Sequence, residues 1–234
     1  SYLAMLMLAL ITQLSAETWK DVTSLVTNPD YESNADGWNL IMVQRDNVGH
    51  TTHCFRFYNS QGAVEQTITV PAPGTYRVSI NAFMRNGAWS QDGVDAHAAG
   101  TEVINAYLYA NDEQKTLVSL YSNSSTNYIG GGKQDSNGNY YPDNSSGAYI
   151  VLSNGLYPNS VTVDVGDDRQ LTIGINTGEY IRNSWLVMTG WKVEQKEEEV
   201  QKTWTERVKP TNTDNVTSAT LVDGNEYFLF NIDS

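Results

Sequence analysis

The stretch Gly74–Arg85 alternates with a period of two. Tyr76, Val78, Ile80, Ala82 and Met84 are apolar on one parity, and Arg77, Ser79, Asn81, Phe83 and Arg85 occupy the other. Side chains of a strand point by turns to opposite faces, so this spacing specifies a strand with one face in a core. A helix would scatter the same apolar residues round its axis. INAYLYAN repeats the logic, with Ile104, Ala106, Leu108 and Ala110 on one face and Asn105, Tyr107, Tyr109 and Asn111 on the other. QLTIGINT does so again, placing Leu171, Ile173 and Ile175 inward and Thr172, Gly174 and Asn176 outward. TLVSLYS, AYIVL, SVTVDV and SWLVMTGWKV read as further short strands. Many short strands between turn residues predict an all-β fold, a two-sheet antiparallel β-sandwich of the jelly-roll kind.

The ends of the chain differ in character from this middle. Residues 1–16, SYLAMLMLALITQLSA, are uncharged and apolar and close on small residues. That is the pattern of a secretory signal peptide, clipped at its start, and it is shorter than the roughly 20 apolar residues of a membrane span. Once it is cleaved, no membrane insertion is expected. The lone cysteine, Cys54, allows no internal disulfide, so the export points to a bacterial exterior or cell surface. Residues 17–195 form the expected jelly-roll domain, and 196–218 a charged and polar linker. Residues 219–234 begin a new strand pattern and stop, as the first strands of a truncated second module. Near the end of the first domain, Trp185 and Trp191 lie six residues apart. In an unbulged strand they share a face with Val187 and Val193 and close the core.

Charge and motifs exclude several functions. A net charge of −13 with no basic stripe argues against nucleic acid and anionic bilayers. His50, His53 and His97 form no zinc-ligand pattern. The GGGK run at 130–133 lacks the preceding Gly and following Ser or Thr of a phosphate loop and reads as a turn. No GxSxG nucleophile elbow occurs. Two polar segments, 86–101 and 122–147, interrupt the strands. The second carries Tyr128, Tyr140 and Tyr141, which marks it as a binding loop rather than a linker.

What remains is a set of outward Asn, Arg and aromatic residues. A sugar offers an apolar C–H face that rests on an aromatic ring and a rim of hydroxyls that needs paired donors and acceptors. Asn81, Arg85, Asn105, Tyr107 and Tyr109 supply both if their strands are neighbours, with Trp89, Tyr140 and Tyr141 reaching in from loops. An ordinary solvated sheet face explains the same residues equally well.

Five segments in order, DVTSLVTNPDYESNADGWN, QTITVPAPGTYRVSINAFMR, NAYLYAN, LTIGINT and NSWLVMTGWKVE, carry a family resemblance. Together they resemble the galactose-binding-like jelly-roll carbohydrate-binding modules of secreted Bacteroidetes polysaccharide-degrading proteins. The resemblance covers about residues 21–194. It implies a non-catalytic module that holds a secreted or surface protein, with its further domains, on a polysaccharide or other glycan. It also implies a structural calcium, with Glu32 and backbone carbonyls near Asn28 as ligands. Thr189 stands where the family has Asp and Gly190 where it has Asn, so the metal site stays open. LVDGNEYFLFNIDS resembles the opening of a β-trefoil lectin repeat. Two other classes fit the chain: a structural or adhesion sandwich packing on neighbouring domains, and a jelly-roll polysaccharide lyase or hydrolase.

Overall fold

The computed structural model describes residues 17–197 apart from 52 and 128. The expected signal peptide, the second module and all but the first two residues of the expected linker lie outside the described residues. In chain order the elements are β1 (Trp19–Asp21), β2 (Asn39–Gln44), β3 (Asn47–Thr51), β4 (Cys54–Tyr58), β5 (Gln61–Thr69) and β6 (Gly74–Arg85). Then come α1 (Gln91–Ala98), β7 (Ala106–Ala110), β8 (Glu113–Thr116), β9 (Lys133–Gln134), β10 (Tyr140–Tyr141) and α2 (Ser145–Ser153). The fold closes with β11 (Pro158–Val165), β12 (Gln170–Thr177) and β13 (Trp185–Lys196). Lys196, expected as the first linker residue, thus still belongs to a strand, paired with Trp19.

Two antiparallel sheets face each other. One runs β11-β6-β13-β4-β3, with β1 added along β13; the other runs β2-β5-β12-β7-β8. Between them lies the main core. Tyr76, Val78, Ile80, Ala82 and Met84 of β6 meet Ala106, Leu108 and Ala110 of β7 and Leu171, Ile173 and Ile175 of β12 there. The alternation in the sequence therefore assigns these inward faces correctly, and the fold is the expected β-sandwich.

The tryptophan pair behaves otherwise. Between Thr189 and Lys192 the pairing of β13 with β6 shifts register. Thr189 opposes Asn81 and Lys192 opposes Ser79, so Gly190 and Trp191 together face Ile80 alone. This is a β-bulge, and Gly190 takes the left-handed φ of +72° that such an extra residue requires. The spare N–H of Trp191 donates to Pro29 O at 3.1 Å. The extra residue flips the parity of the strand. Trp191 and Val193 enter the main core, whereas Trp185 and Val187 point to the opposite face of the sheet. The expectation that both tryptophans share a face fails for this reason.

Round Trp185 and Val187 that opposite face is not solvated. A second apolar cluster covers it, built from Cys54, Phe83, Trp185 and Val187 below and Leu120, Tyr121, Ile129, Tyr141, Val151, Leu152 and Tyr157 above. The polar segments 86–101 and 122–147 supply part of this cover through Val94, Ile129 and Tyr141. AYIVL, expected as a strand, lies in α2 instead. Asn144 caps that helix by accepting from the Gly147 N–H at 2.8 Å, and Ala148, Val151 and Leu152 turn to the sheet. A short apolar run carries no reliable period, so the cap decides its state. TLVSLYS is likewise no strand beyond Thr116; Leu120–Ser122 form a 3-10 turn. Tyr157 ties the cover down by donating from its hydroxyl to Leu120 O and Asn123 O, both at 2.8 Å.

Candidate functional site

The expected binding patch required β6 and β7 to be neighbours. They lie in different sheets. Asn81 and Arg85 therefore face away from one side of the sandwich, and Tyr107 and Tyr109 away from the other. The eight expected contact residues divide into two sets, and some belong to neither surface.

The first surface is the outer face of the β2-β5-β12-β7-β8 sheet. Among the described residues α2 packs on the other sheet and α1 on the 3-10 turn of its cover, which leaves this face open. Its register aligns side chains in rows across the strands. Asn39, Glu65, Gly174, Tyr109 and Gln114 stand side by side, and Ile41, Ala63, Asn176, Tyr107 and Thr116 form the next row. Five strands at the usual spacing make such a row roughly 19 Å long. A groove of about 540 Å³ opens here, lined among others by Ile41, Val43, Gln61, Glu65, Tyr109 and Asn176.

Tyr109 is the centre of this groove. Its ring lies across Gly174, where a Cβ would come within 2.5 Å of the phenol Cζ and Oη. The glycine is thus the seat for the ring. The phenol hydroxyl donates to Glu65 Oε2 at 2.6 Å, and Asn39 Nδ2 donates to Glu65 Oε1 at 3.3 Å. Burial first, and then the bond to the Glu65 carboxylate, push the Tyr109 hydroxyl well above the usual phenol range, so it remains a donor. Ile41 and Val43 stay exposed at the lip, 48% and 75% respectively, and add apolar surface beside the polar groove. Asn105 stands at the end of this face, but its amide is engaged: Nδ2 donates to Glu179 O at 2.6 Å and positions the 178–179 loop beside Tyr107.

The second surface lies on the covered side, at the end of β6. Here Arg85 and Trp89 meet Arg56, Tyr58, Lys133, Asp143 and Trp185 around a pocket of about 560 Å³. Arg85 is only 5% exposed. Its Nη1 donates to Asp143 Oδ1 at 2.5 Å, its Nε donates to Gly87 O at 2.9 Å, and its guanidinium sits 5.3 Å from the Trp185 ring centre. It is a neutralised keystone rather than a free hydroxyl-binding arm.

Three other expected contacts line neither pocket. Tyr141 is buried, with its hydroxyl 3.3 Å from Asp135 Oδ2, so it packs the cover instead of reaching toward a ligand. Tyr140 is half-buried against the same cluster. Asn81 sits opposite Thr189 at the bulge. The calcium residues are also spoken for. The Thr189 hydroxyl donates to His53 O at 3.1 Å, and the Glu32 carboxylate pairs with His53 Nδ1 at 2.8 Å. Asn28 O accepts from both Tyr31 N–H and the Trp38 indole. Among the described residues no three of His, Cys, Asp and Glu converge as metal ligands.

Glu65, Asn39 and Gln114 were not singled out from the sequence. Glu65 alternates with inward Val64 in β5, so its outward direction follows from period-2 spacing. That it stands beside Tyr109 follows only from the pairing of β5 and β7 with β12.

The architecture is that of a two-sheet antiparallel β-sandwich with one partly covered and one open face. No protein-family model matches the chain, and no curated protein does. Among solved structures the chain shows similarity to TmCBM61 in complex with beta-1,4-galactotriose, with 10% identity and a TM-score of 0.39 over 73% of this chain and 97% of that one. A second is a CBM4 structure, with 10% identity and a TM-score of 0.36 over 74% and 99%.

Proposed function

We propose that this chain is a non-catalytic carbohydrate-binding module and that the open groove on the five-stranded sheet holds the glycan. The observation that carries the reading is Tyr109 on its glycine seat, flanked by Glu65, Asn39, Asn176 and Gln114 along one uncovered face. The ring and the exposed Ile41 supply an apolar floor for sugar C–H groups, while the amides and the carboxylate pair with hydroxyls. Glu65 is held by Tyr109 and Asn39, which fixes it as an acceptor at the centre of the groove. The module would bring a secreted or surface-borne bacterial protein to a polysaccharide and raise its local concentration there.

The test is retardation on affinity gels cast with galactan, xylan, β-glucan, pectin or mannan, comparing wild type with Tyr109→Ala. The expected loss is about 2 kcal/mol, roughly 30-fold in Kd, as for a central aromatic contact. No retardation on any glycan, or an unaffected Tyr109→Ala variant, removes the reading. Release of reducing ends by the purified chain would show an enzyme instead.

A further inference from the structure

We infer that the pocket at the end of β6 is a second binding site, selective for a sugar bearing a carboxylate. The site lies on the opposite sheet from the groove, so it adds to the reading above and shares no residue with it.

Three observations converge. The pocket gathers Arg56, Arg85 and Lys133 against a single carboxylate, Asp143, in a chain whose net charge is −13. Asp143 is already used by Arg85 at 2.5 Å and stands 4.0 Å from Lys133, so the remaining local charge is positive. Two donors are also buried without a partner: Arg56 Nε and Trp89 Nε1. Arg56 is held in place by its other nitrogens, which donate to Ser145 Oγ at 3.2 Å and Asn47 Oδ1 at 3.0 Å. Finally, α2 starts at this wall, adding the positive end of its dipole.

A site with surplus donors and few acceptors calls for a ligand group that only accepts, and an ionised carboxylate is that group. The rings of Tyr58 and Trp89 border the same space and suit a sugar C–H face. The volume of about 560 Å³ lies in the range of small-ligand sites. A polyanion such as a nucleic acid would be repelled by the acidic remainder of the surface. One or two charges on a sugar match the local surplus. A uronate residue has this chemistry.

The experiment titrates the ¹⁵N-labelled chain with digalacturonate and, separately, with its methyl ester. The two ligands share a skeleton and differ in charge. The Trp89 indole N–H resonance should move with the acid and not with the ester. Lys133→Gln removes an exposed cation without touching the core and should weaken the acid about tenfold, the share of one charge-assisted bond. Trp89→Phe should weaken it too while retaining the ring. Tyr109→Ala should leave acid binding intact while weakening neutral-glycan binding roughly 30-fold. Equal binding of acid and ester, an unmoved Trp89 resonance, or wild-type affinity in Lys133→Gln overturns the assignment. If Tyr109→Ala abolishes acid binding, the acid sits in the groove and the pocket is excluded. If neutral glycans fail everywhere while the acid still binds at Trp89, the groove reading falls and this one stands.

Discussion

Gly190 is the residue on which the parity of β13 turns, and replacing it tests the whole account of that strand. Its φ of +72° lies in the left-handed region, where an L side chain crowds the following carbonyl. For alanine that costs about 1–2 kcal/mol. Space is not the obstacle. A Cβ at this position would meet only Asn81 Nδ2 at 3.6 Å and Asp30 Oδ1 at 3.9 Å, ordinary contact distances. The expected destabilisation of Gly190→Ala is therefore the backbone term alone. Gly190→Asn should lose less, because Asn tolerates this region, and Gly190→Val should lose more. Urea unfolding followed by tryptophan fluorescence reads the difference. With a slope of about 2 kcal/mol/M, Gly190→Ala should lower the midpoint by about 0.5–1 M at unchanged slope. A midpoint equal to wild type, with Val no worse than Ala, would mean that residue 190 is extended. The bulge would then be absent, and Trp185 and Trp191 would share a face after all.

Three further outcomes follow from single residues. Gly174→Ala should displace the Tyr109 ring and press on Val64 O, which a Cβ would approach to 2.7 Å. It should therefore lower glycan affinity and cost about 1–3 kcal/mol of stability, read by titration and urea unfolding together; intact affinity would mean that the ring does not need that seat. Glu194 is taken from water, which raises its pKa, but Lys192 and Arg77 hydrogen-bond it and outweigh this, so its carboxyl sits below the ordinary value of 4.5. Stability from this group is present above pH 4.5 and disappears as pH falls through the depressed value, so Glu194→Gln should flatten the acid limb of a stability–pH curve; an unchanged limb would show that the pair contributes nothing. Burial, with a smaller push from Glu32, raises the Cys54 thiol to about 12. In the native state at pH 8 it should resist a thiol-reactive disulfide reagent and label only as fast as the chain unfolds, whereas prompt labelling would contradict its place under the cover.

Period-2 alternation told which face of a strand is apolar, and for β6, β7 and β12 that was enough to place the core. It could not tell what lies against the other face. Phe83 and Cys54 sit on outward parities, and whether they meet water or a second layer depends on residues far along the chain, such as Leu120, Tyr141 and Leu152. The cover is written partly in runs that look like strands, TLVSLYS and AYIVL, and partly in segments that look like loops by composition. In the latter the apolar contributors, such as Ile129 and Tyr141, are single residues among Ser, Asn and Gly, and they show no period. Sheet membership was equally hidden. Tyr107, Tyr109, Asn81 and Arg85 have similar surroundings in sequence, yet strand order sends the two pairs to opposite sides. The bulge had one visible mark, the Gly at 190 inside a strand pattern, which is a known sign of a break in register.

Arg85 joins these points. A buried guanidinium cannot persist in this sheet unless a carboxylate meets it, and removing one partner of such a pair costs on the order of 3–5 kcal/mol. The partner, Asp143, comes from the segment 122–147. That segment is thus part of the fold and not an appended arm, because the end of β6 depends on it for charge balance as well as for apolar cover. Once it is folded there, the β11-β6-β13-β4-β3 sheet is covered round Phe83 and Trp185, and its outer face stays exposed only toward the other end, at Thr162, Asp164 and Lys192. The face left open across its whole width is the other one, and Tyr109 on Gly174 is where a flat ligand can lie against it.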